Sequence, residues 1–402
     1  MKLWHQVLIG LAAGIVFGLV FKEDAAIVKP IGTVFINMIL MCVVPLIFFS
    51  LISGITGMKD PKALGRVGFK STFAYLTTVA FAIVIGLVVV NVLHPGVGVD
   101  LKLDQAALAA KPATQQQSII DTFVNIVPKN AIGAMAEGHI LQVVFFAIFV
   151  GISLTLMGKD GEKLVDLAHV SAKLMFKIIG YVVRLSPFGV FALIATVVGT
   201  QGVEVIYSLI KLVVTVVIAC GIQYVVFGLL IFFFARMSPF PFYKKSLDYQ
   251  ALAFSTSSSK ATLPTTMTVL ADKMGVSRDS TSFVLPLGAS INMDGTALYM
   301  GICAVFIAQA TGVVLSPHDY FILIFTCTIG SIGAAGYPGG AMAMMGVVLS
   351  ALNLPIEGLA LILGVDRILD MLRTTINITG DATITLIIDK SEGKLDEKAY
   401  HA

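Results

Sequence analysis

Five polar residues that could bind ions or a charged small molecule recur near the C-terminus, inside a segment otherwise apolar enough to cross a bilayer. At about 100° per residue, they fall within about 80° on one face of a helix. They are Asp366, Asp370, Arg373, Asn377 and Asp381. A charge at mid-membrane costs at least about 2.5 kcal/mol, so such residues mark a path of ions or substrate. A single structural ion pair, Asp370 with Arg373, is the alternative, but it leaves two aspartates unexplained.

A second polar interruption runs from Gly288 to Thr296 and reads Gly-Ala-Ser-Ile-Asn-Met-Asp-Gly-Thr. Asn292, Asp294 and carbonyls exposed by a glycine break would supply hard oxygen ligands, which suit a hard monovalent cation. A helix kink stabilised by the Asn and Asp side chains is the alternative interpretation.

The composition indicates an all-α polytopic membrane protein. Of its 402 residues, 57% are hydrophobic and only 13% are charged, against about 25% charged in soluble domains. The four cysteines and six histidines show no spacing typical of disulfides or a metal site. Apolar stretches long enough to span a bilayer predict eight transmembrane helices at roughly 3–22, 31–57, 69–94, 119–157, 164–198, 203–235, 281–310 and 357–388.

Two further apolar regions, at roughly 247–275 and 319–352, are each interrupted by a turn, one at 255–264 and the other at 333–340. Each half is too short to span alone, and unwound backbone at membrane depth must be buried in protein or line a cavity. We therefore predict two re-entrant helical hairpins. Because a hairpin followed by a helix occurs twice, we expect inverted repeats, which are typical of secondary transporters. Two ordinary broken helices are the alternative.

The distribution of Lys and Arg predicts that both termini lie in the cytoplasm. The first hairpin then opens from the inside and the second from the outside, so that the two could gate one site alternately. The basic residues assigned to cytoplasmic loops are Lys59, Lys62, Arg66, Lys70, Lys159, Lys163, Arg236, Lys244, Lys245, Lys273, Arg278, Lys390 and Lys394.

Taken together, the motifs resemble those of the dicarboxylate/amino acid:cation symporter family, which includes bacterial and archaeal glutamate/aspartate symporters and mammalian excitatory amino acid transporters. The serine-rich turn, Asn-Met-Asp-Gly-Thr at 292–296, Gly-Tyr-Pro-Gly-Gly at 336–340 and the segment 366–381 follow in this order. Tyr-Leu-Thr-Thr at 75–78 extends the resemblance over nearly the whole chain. The resemblance implies a glutamate-transporter-like fold and a homotrimer.

The resemblance also implies a division of the chain into a static scaffold and a moving transport domain. The scaffold would comprise residues 1–68 and 95–198, which hold spans one, two, four and five. The transport domain would comprise residues 69–94 and 199–402, which hold spans three and six to eight and both hairpins.

By position, the resemblance implies that Arg373 binds the side-chain carboxylate of the substrate, since its planar fork suits bidentate recognition. Asp370 would hold the substrate ammonium, Thr296 its side chain and Asn377 its main-chain end. The backbone of both hairpin tips would hold the α-carboxylate. The implied substrate-binding residues are Ser258, Ser259, Thr296, Tyr337, Gly339, Asp370, Arg373, Thr374 and Asn377.

Three sodium sites are implied in the same way. The ligands of the first site would come from Gly288, Asn292, Asn377 and Asp381. The ligands of the second site would come from Ser290, Ser331, Ile332 and Ala334. The ligands of the third site would come from Tyr75, Thr78, Asn292 and Asp294. Three aspartates against one nearby arginine leave a negative surplus, which coupling cations would neutralise.

Three positions depart from the family pattern. Val79 stands where relatives often carry a hydroxyl, which weakens the third cation site. Met300 cannot titrate, so the proton route of the mammalian relatives is absent. Lys260 follows the serines where bacterial relatives often have Glu. A lysine that snorkels to water is the alternative to direct substrate contact.

We therefore expect an inner-membrane symporter for L-glutamate and/or L-aspartate, not an enzyme, with Na⁺ as the coupling ion and H⁺ as the alternative. A C4-dicarboxylate carrier of the same family is a second candidate, but its substrate has no ammonium for Asp370. A neutral amino acid would leave Arg373 unpaired. An intramembrane aspartyl protease would need a Gly-x-Gly-Asp motif, and Ile378 occupies the first glycine position. Two opposed gates argue against a channel, and no nucleic-acid partner is expected.

Overall fold

Long apolar helices make up the N-terminal half of the chain. The computed structural model describes residues 3–56, 66–98, 124, 127–202, 204–334 and 340–402, and every regular element within these ranges is helical. The α-helices of this half are α1 (Leu3–Phe21), α2 (Lys29–Thr56), α3 (Arg66–Leu93), α4 (Ala131–Glu137), α5 (Ile140–Met157), α6 (Glu162–Arg184), α7 (Ser186–Gln201) and α8 (Glu204–Leu230). Short 3-10 segments join α1 to α2 and α5 to α6, at Lys22–Val28 and Gly158–Gly161.

The C-terminal half is divided into helices that meet at breaks. They are α9 (Phe240–Thr256), α10 (Ser259–Thr268), α11 (Arg278–Ile291), α12 (Asp294–Ala310), α13 (Pro317–Ala334), α14 (Gly340–Ala351), α15 (Leu359–Ser391) and α16 (Glu397–His401). One π-helical turn follows α8 and another follows α10, at Ile231–Ala235 and Val269–Lys273. A 3-10 turn precedes α15, at Ile356–Gly358.

Within the described residues, five continuous helical stretches are long and apolar enough to cross a membrane. They are His5–Ser53, Arg66–Leu93, Gln142–Val182, Val205–Ala235 and Arg278–Ala310. A helix satisfies its own backbone hydrogen bonds, which is what the bilayer core demands. The chain is therefore a multi-pass membrane protein, while the count of eight spans stays a prediction.

The serine-rich segment breaks a helix where the first hairpin is predicted. Ser257 has a left-handed backbone (φ 51°) and ends α9. Ser258 then caps α10, because its Oγ accepts a hydrogen bond from the Ala261 N–H at 3.3 Å. Helices α9 and α10 pack against each other, as do α13 and α14. The turn between α13 and α14, residues 335–339, lies outside the described residues, and the re-entrant topology of both pairs stays a prediction.

The interruption between α11 and α12 lies at Asn292 and Met293, so the expected glycine break is wrong. Asn292 leaves the helical conformation (φ −102°, ψ 95°) and its N–H closes α11 on the Gly288 carbonyl at 2.7 Å. Gly288 and Gly295 both lie inside helices. Gly295 instead allows a close approach of α12 to α15, since a Cβ there would lie 2.6 Å from the Arg373 carbonyl oxygen.

Helix α15 forms the centre of the C-terminal half. It packs against α3, α8, α9, α10, α11 and α12. In the N-terminal half, α1 packs on α7, and α2 packs on α5, α6 and α7. The two groups meet where α7 contacts α15 and where α2 contacts α14. The division into a static scaffold and a moving transport domain stays a prediction.

An ion-pair cluster joins the start of α3 to the residue that follows α15. The Lys70 ammonium donates to the Glu392 carboxylate at 2.6 Å, and the Arg66 guanidinium bonds the same carboxylate. These hydrogen bonds, Lys70 first, lower the pKa of the Glu392 carboxyl. Helix α3 is thereby tied to α15 at this end.

The contact of α1 with α7 depends on small residues spaced one turn apart. A Cβ at Gly10 would lie 2.4 Å from the Pro187 carbonyl oxygen, and one at Gly14 would lie 2.7 Å from the Phe191 carbonyl oxygen. Such spacing lets two membrane helices approach backbone to backbone.

We expect Gly14→Leu to destabilise the protein by about 1–3 kcal/mol, because the larger side chain must separate α1 from α7. Thermal unfolding of the purified protein measures this effect. Gly221→Leu is the control, because a Cβ at Gly221 would meet nothing within 4 Å. Equal melting temperatures for both variants would contradict close packing of α1 on α7.

Candidate functional site

A fully buried arginine lies between two aspartates of α15. Arg373 is 0% exposed. Its Nη1 donates to Asp366 Oδ1 at 2.9 Å and its Nη2 to Asp370 Oδ1 at 2.8 Å. The three residues meet because helical periodicity places them on one face, as the sequence predicts. The guanidinium thus presents its planar fork to carboxylates, which is the chemistry of carboxylate recognition.

Tyr299 of α12 completes the surroundings of Arg373 and was not predicted from the sequence. The guanidinium carbon lies 3.9 Å from the centre of the Tyr299 ring, a cation–π contact. The Tyr299 hydroxyl donates to Asp366 Oδ1 at 2.9 Å. The available signal was its position on α12 one turn after Thr296, a predicted site residue.

A second arginine, Arg367, also reaches the site and was missed. Its Nη1 donates to Asp370 Oδ2 at 3.2 Å, so both oxygens of Asp370 accept from arginines. Arg367, Asp366 and Asp370 line a cavity of about 40 Å³ where α15 meets α1, α2, α6, α7 and α14. The expectation of one arginine against three aspartates is therefore wrong, because two arginines balance Asp366 and Asp370. The negative surplus lies further along, at Asp381 and Asp294.

Asn377 connects α15 to the start of α12. Its Oδ1 accepts from the Gly295 N–H at 2.8 Å and the Thr296 N–H at 3.3 Å. Its Nδ2 donates to Thr296 Oγ1 at 3.1 Å. The predicted pair Asn377 and Thr296 is thus brought together, whereas the Thr374 hydroxyl donates to the Asp370 carbonyl of its own helix at 2.8 Å.

A second polar cluster forms one turn further along α15, around Asp381. Asn292 Nδ2 donates to Asp381 Oδ1 at 3.0 Å, and Thr78 Oγ1 donates to Asn292 Oδ1 at 3.1 Å. The Tyr75 hydroxyl donates to the Val284 carbonyl at 3.0 Å. Side chains from α3, the α11–α12 break and α15 therefore meet here, because tertiary packing brings positions far apart in sequence together.

Three carboxylate oxygens of this cluster are buried and have no hydrogen-bond partner: Asp381 Oδ2, Asp294 Oδ1 and Asp294 Oδ2. Both aspartates are 0% exposed. An uncompensated buried carboxylate is strongly unfavourable. A Cβ at Gly288 would lie 2.9 Å from Asp381 Oδ1, so the α11 backbone also approaches closely. The oxygens of this set suit a hard cation, and a bound cation would compensate the charge.

The remaining predicted residues lie at helix ends and turns. Ser259, at the start of α10, is buried with an unpaired Oγ, and α10 packs on α15. Ser290 Oγ and Ser331 Oγ donate to carbonyls of their own helices, at 3.0 and 2.8 Å. Ile332 packs against the apolar cluster around Tyr75, and Ala334 ends α13. Tyr337 and Gly339 lie outside the described residues.

Comparison of the sequence with known proteins places this chain in a family of transporters. Residues 3–391 match the model of the sodium:dicarboxylate symporter family. The chain is 36% identical to a proton/sodium-glutamate symport protein of Bacillus caldotenax, over 98% of this chain and 95% of the relative. It is also 36% identical to a C4-dicarboxylate transport protein of Rhodospirillum rubrum, over 98% and 89% of the two chains. A C4-dicarboxylate transport protein of Rhizobium leguminosarum is 37% identical, over 98% and 90%. The chain therefore belongs to the sodium:dicarboxylate symporter family, whose members are membrane transporters and not enzymes.

Proposed function

We propose that this chain is a secondary active symporter that imports L-glutamate and/or L-aspartate, coupled to Na⁺ by alternating access. The observation that carries the proposal is the fully buried Arg373, held among Asp366, Asp370 and Tyr299. An acidic amino acid brings two carboxylates and one ammonium. Buried cationic and anionic partners for these groups already lie side by side on α15.

Substrate binding would exchange one set of ion pairs for another. The side-chain carboxylate takes the place of an aspartate at Arg373, and the ammonium takes the place of an arginine at Asp370. The displaced aspartate would be Asp366, which keeps the Tyr299 hydroxyl as a hydrogen-bond donor, and the displaced arginine would be Arg367, whose side chain is 20% exposed. Each charge in the site would then keep a partner or reach water, which is the condition for a dry ionic site. The α-carboxylate would lie at the N-terminus of α10, where the backbone N–H groups and the helix dipole favour an anion.

The coupling cations would occupy the oxygen-rich regions beside this site. The unpaired carboxylates of Asp381 and Asp294 support cation binding, and Asn377 connects that region to the start of α12. Cation and substrate would then stabilise the same arrangement of α12 and α15, so each would raise the affinity of the other. Sodium is the first choice, because the family is named for it, and a proton is the alternative, because the Bacillus caldotenax relative is named for both ions.

A second candidate is import of C4-dicarboxylates, the substrate class in the names of two of the relatives. The specific observation in its favour is that both Asp370 oxygens are already paired, one with Arg367 and one with Arg373. Two arginines near one site would complement two carboxylates. Asp370 favours the amino acid, since a C4-dicarboxylate has no ammonium to pair with it.

Uptake into proteoliposomes tests the proposal. Labelled aspartate, glutamate and succinate would be supplied under sodium and proton gradients imposed separately. We expect aspartate or glutamate to accumulate under an inward sodium gradient alone. Accumulation of succinate in preference to both would overturn the amino-acid assignment, and accumulation driven only by a proton gradient would overturn sodium coupling.

We expect Arg367→Met to raise aspartate affinity about tenfold, equivalent to about 1.4 kcal/mol. Arg367 competes with the substrate ammonium for Asp370, and its removal leaves one Asp370 oxygen free. Equilibrium binding to the purified protein measures the change, with Arg278→Met as control because this exposed arginine pairs with Asp272. A fall in aspartate affinity would mean that Arg367 contacts the substrate carboxylate directly, as the dicarboxylate candidate requires.

The same proposal includes the division into two domains, the oligomeric state and the orientation in the membrane. Residues 1–68 and 95–198 would form a scaffold, and residues 69–94 and 199–402 a transport domain that carries the site across the membrane. The protein would be a homotrimer in the cell inner membrane with both termini in the cytoplasm. The basic loops counted in the sequence support this orientation.

A further inference from the structure

Gln223, in the C-terminal half of α8, is buried with no partner within hydrogen-bond distance of its amide. Its exposure is 0%, and neither Oε1 nor Nε2 has a partner. Nearly all buried side-chain amides in folded proteins are paired, because an unpaired amide costs free energy when it leaves water. Such a group points to a ligand that the side chain is placed to bind.

The unpaired amide lies beside an unpaired carboxylate. Helix α8 packs against α12, and Gln223, Thr78 and Asn292 are the polar side chains that interact with the Asp294 carboxyl, although none lies within hydrogen-bond distance of either Asp294 oxygen. Gly380 of α15 shows how tightly the region is built. A Cβ there would lie 2.5 Å from Asp294 Oδ2 and 2.9 Å from Asn292 Nδ2.

Helix α8 contributes a second side chain to the region around Asp294. The same Cβ at Gly380 would lie 3.0 Å from Phe227 Cζ, and Phe227 follows Gln223 by one helical turn. Phe227 is 0% exposed and packs in the apolar core. Phe227 therefore closes the region on its apolar side, while Gln223 offers an amide oxygen to it.

We infer that Gln223 is a further ligand of a cation held beside Asp294, and that its Oε1 coordinates this cation. The inference rests on the proposed cation coupling and adds α8 to the elements that hold the ion. The other ligands would be the Asp294 carboxylate, the Thr78 hydroxyl and the Asn292 side-chain oxygen. Val79, next to Thr78, is fully buried and offers no oxygen, so an amide oxygen from α8 would raise the number of ligands. One carboxylate with neutral oxygens suits a hard monovalent cation such as Na⁺.

The alternative is that Gln223 only donates a hydrogen bond to Asp294 in some states of the protein. The two roles predict opposite changes in cation affinity. Removing a ligand weakens cation binding. Removing a donor leaves the Asp294 carboxylate less compensated, and this would strengthen cation binding.

Sodium titration of the purified full-length chain without substrate tests the inference. Thermal unfolding would be followed as NaCl replaces choline chloride at constant ionic strength, for wild type, Gln223→Met and Gln223→Asn. Methionine fills similar space without a hard ligand, and asparagine keeps the amide but withdraws it by one methylene. We expect both variants to need at least about tenfold more sodium for half-maximal stabilisation. A tenfold change in the binding constant corresponds to the loss of about 1.4 kcal/mol of binding free energy.

Thr215→Val is the matched control on the same helix, because the Thr215 hydroxyl is buried and bonded to the Lys211 carbonyl at 2.7 Å. It should keep the sodium dependence of the wild type. An unchanged or lower half-maximal sodium concentration in either Gln223 variant would overturn the inference while leaving sodium coupling intact. A wild type that sodium does not stabilise would overturn both, and so the two failures are distinguishable.

Discussion

Arg373→Met is expected to abolish binding of aspartate and glutamate, with a loss of affinity of at least about 100-fold. The substrate carboxylate would enter a dry site without its cationic partner. Removing one partner of a buried ion pair costs about 3–5 kcal/mol. At about 1.4 kcal/mol per factor of ten, the lower end of that range corresponds to slightly more than 100-fold. Isothermal titration of the purified protein with aspartate, at saturating sodium, measures the loss.

A conservative variant and a folding control separate recognition from stability. Arg373→Lys keeps the charge, but an ammonium cannot bond Asp366 and Asp370 with the fixed geometry of the guanidinium fork. We expect it to bind more weakly than wild type and more tightly than Arg373→Met. Sodium-dependent stabilisation in thermal unfolding should persist in both variants, because the cation cluster lies further along α15. Unchanged aspartate affinity in folded Arg373→Met would contradict the assignment of Arg373.

Asp381→Asn is expected to raise at least tenfold the sodium concentration needed for half-maximal aspartate binding. The substitution removes a buried negative charge with an unpaired oxygen, and a neutral amide attracts a hard cation far less than a carboxylate does. Since the effects of cation and substrate on each other are reciprocal, aspartate affinity at low sodium should fall in parallel. Aspartate titrations at several sodium concentrations measure both effects.

Asp389→Asn is the matched control for this experiment. Asp389 is equally buried on α15, but its carboxylate accepts from the Ser277 N–H at 2.9 Å and from the Ser277 hydroxyl. We expect this variant to lower thermal stability without changing the sodium dependence. If Asp381→Asn behaves in the same way, Asp381 is a structural carboxylate and no cation ligand.

Several features of the site could be predicted from helical periodicity alone. Asp366, Asp370 and Arg373 are in contact because a helix places them on one face whatever surrounds it. The same periodicity predicts Asn377 and Asp381 along that face, and both lie there. The break at the serine-rich segment was also predictable, since Ser258 is a favourable cap. The multi-pass membrane class followed from composition, because long apolar helices satisfy their own backbone hydrogen bonds in lipid.

Other contacts could not be predicted, because they depend on side-chain reach or on distant parts of the chain. Arg367 lies about 100° from Asp366 around the helix, off the polar face, yet its long side chain reaches Asp370. Helical angles place Cα atoms and ignore this reach, so the charge balance was predicted wrongly.

The sequence by itself determined the membrane class, the helical character of the chain and the polar face of α15, because each depends on composition or on neighbours within a few turns. The tertiary structure decided that Tyr299 lies against Arg373 and that Thr78, Asn292 and Asp381 form one chain of hydrogen bonds. It also decided that Asp294 and Gln223 are buried without partners. Whether a polar atom has a partner depends on helices that are far apart in sequence, and their contacts are fixed only when the whole chain packs.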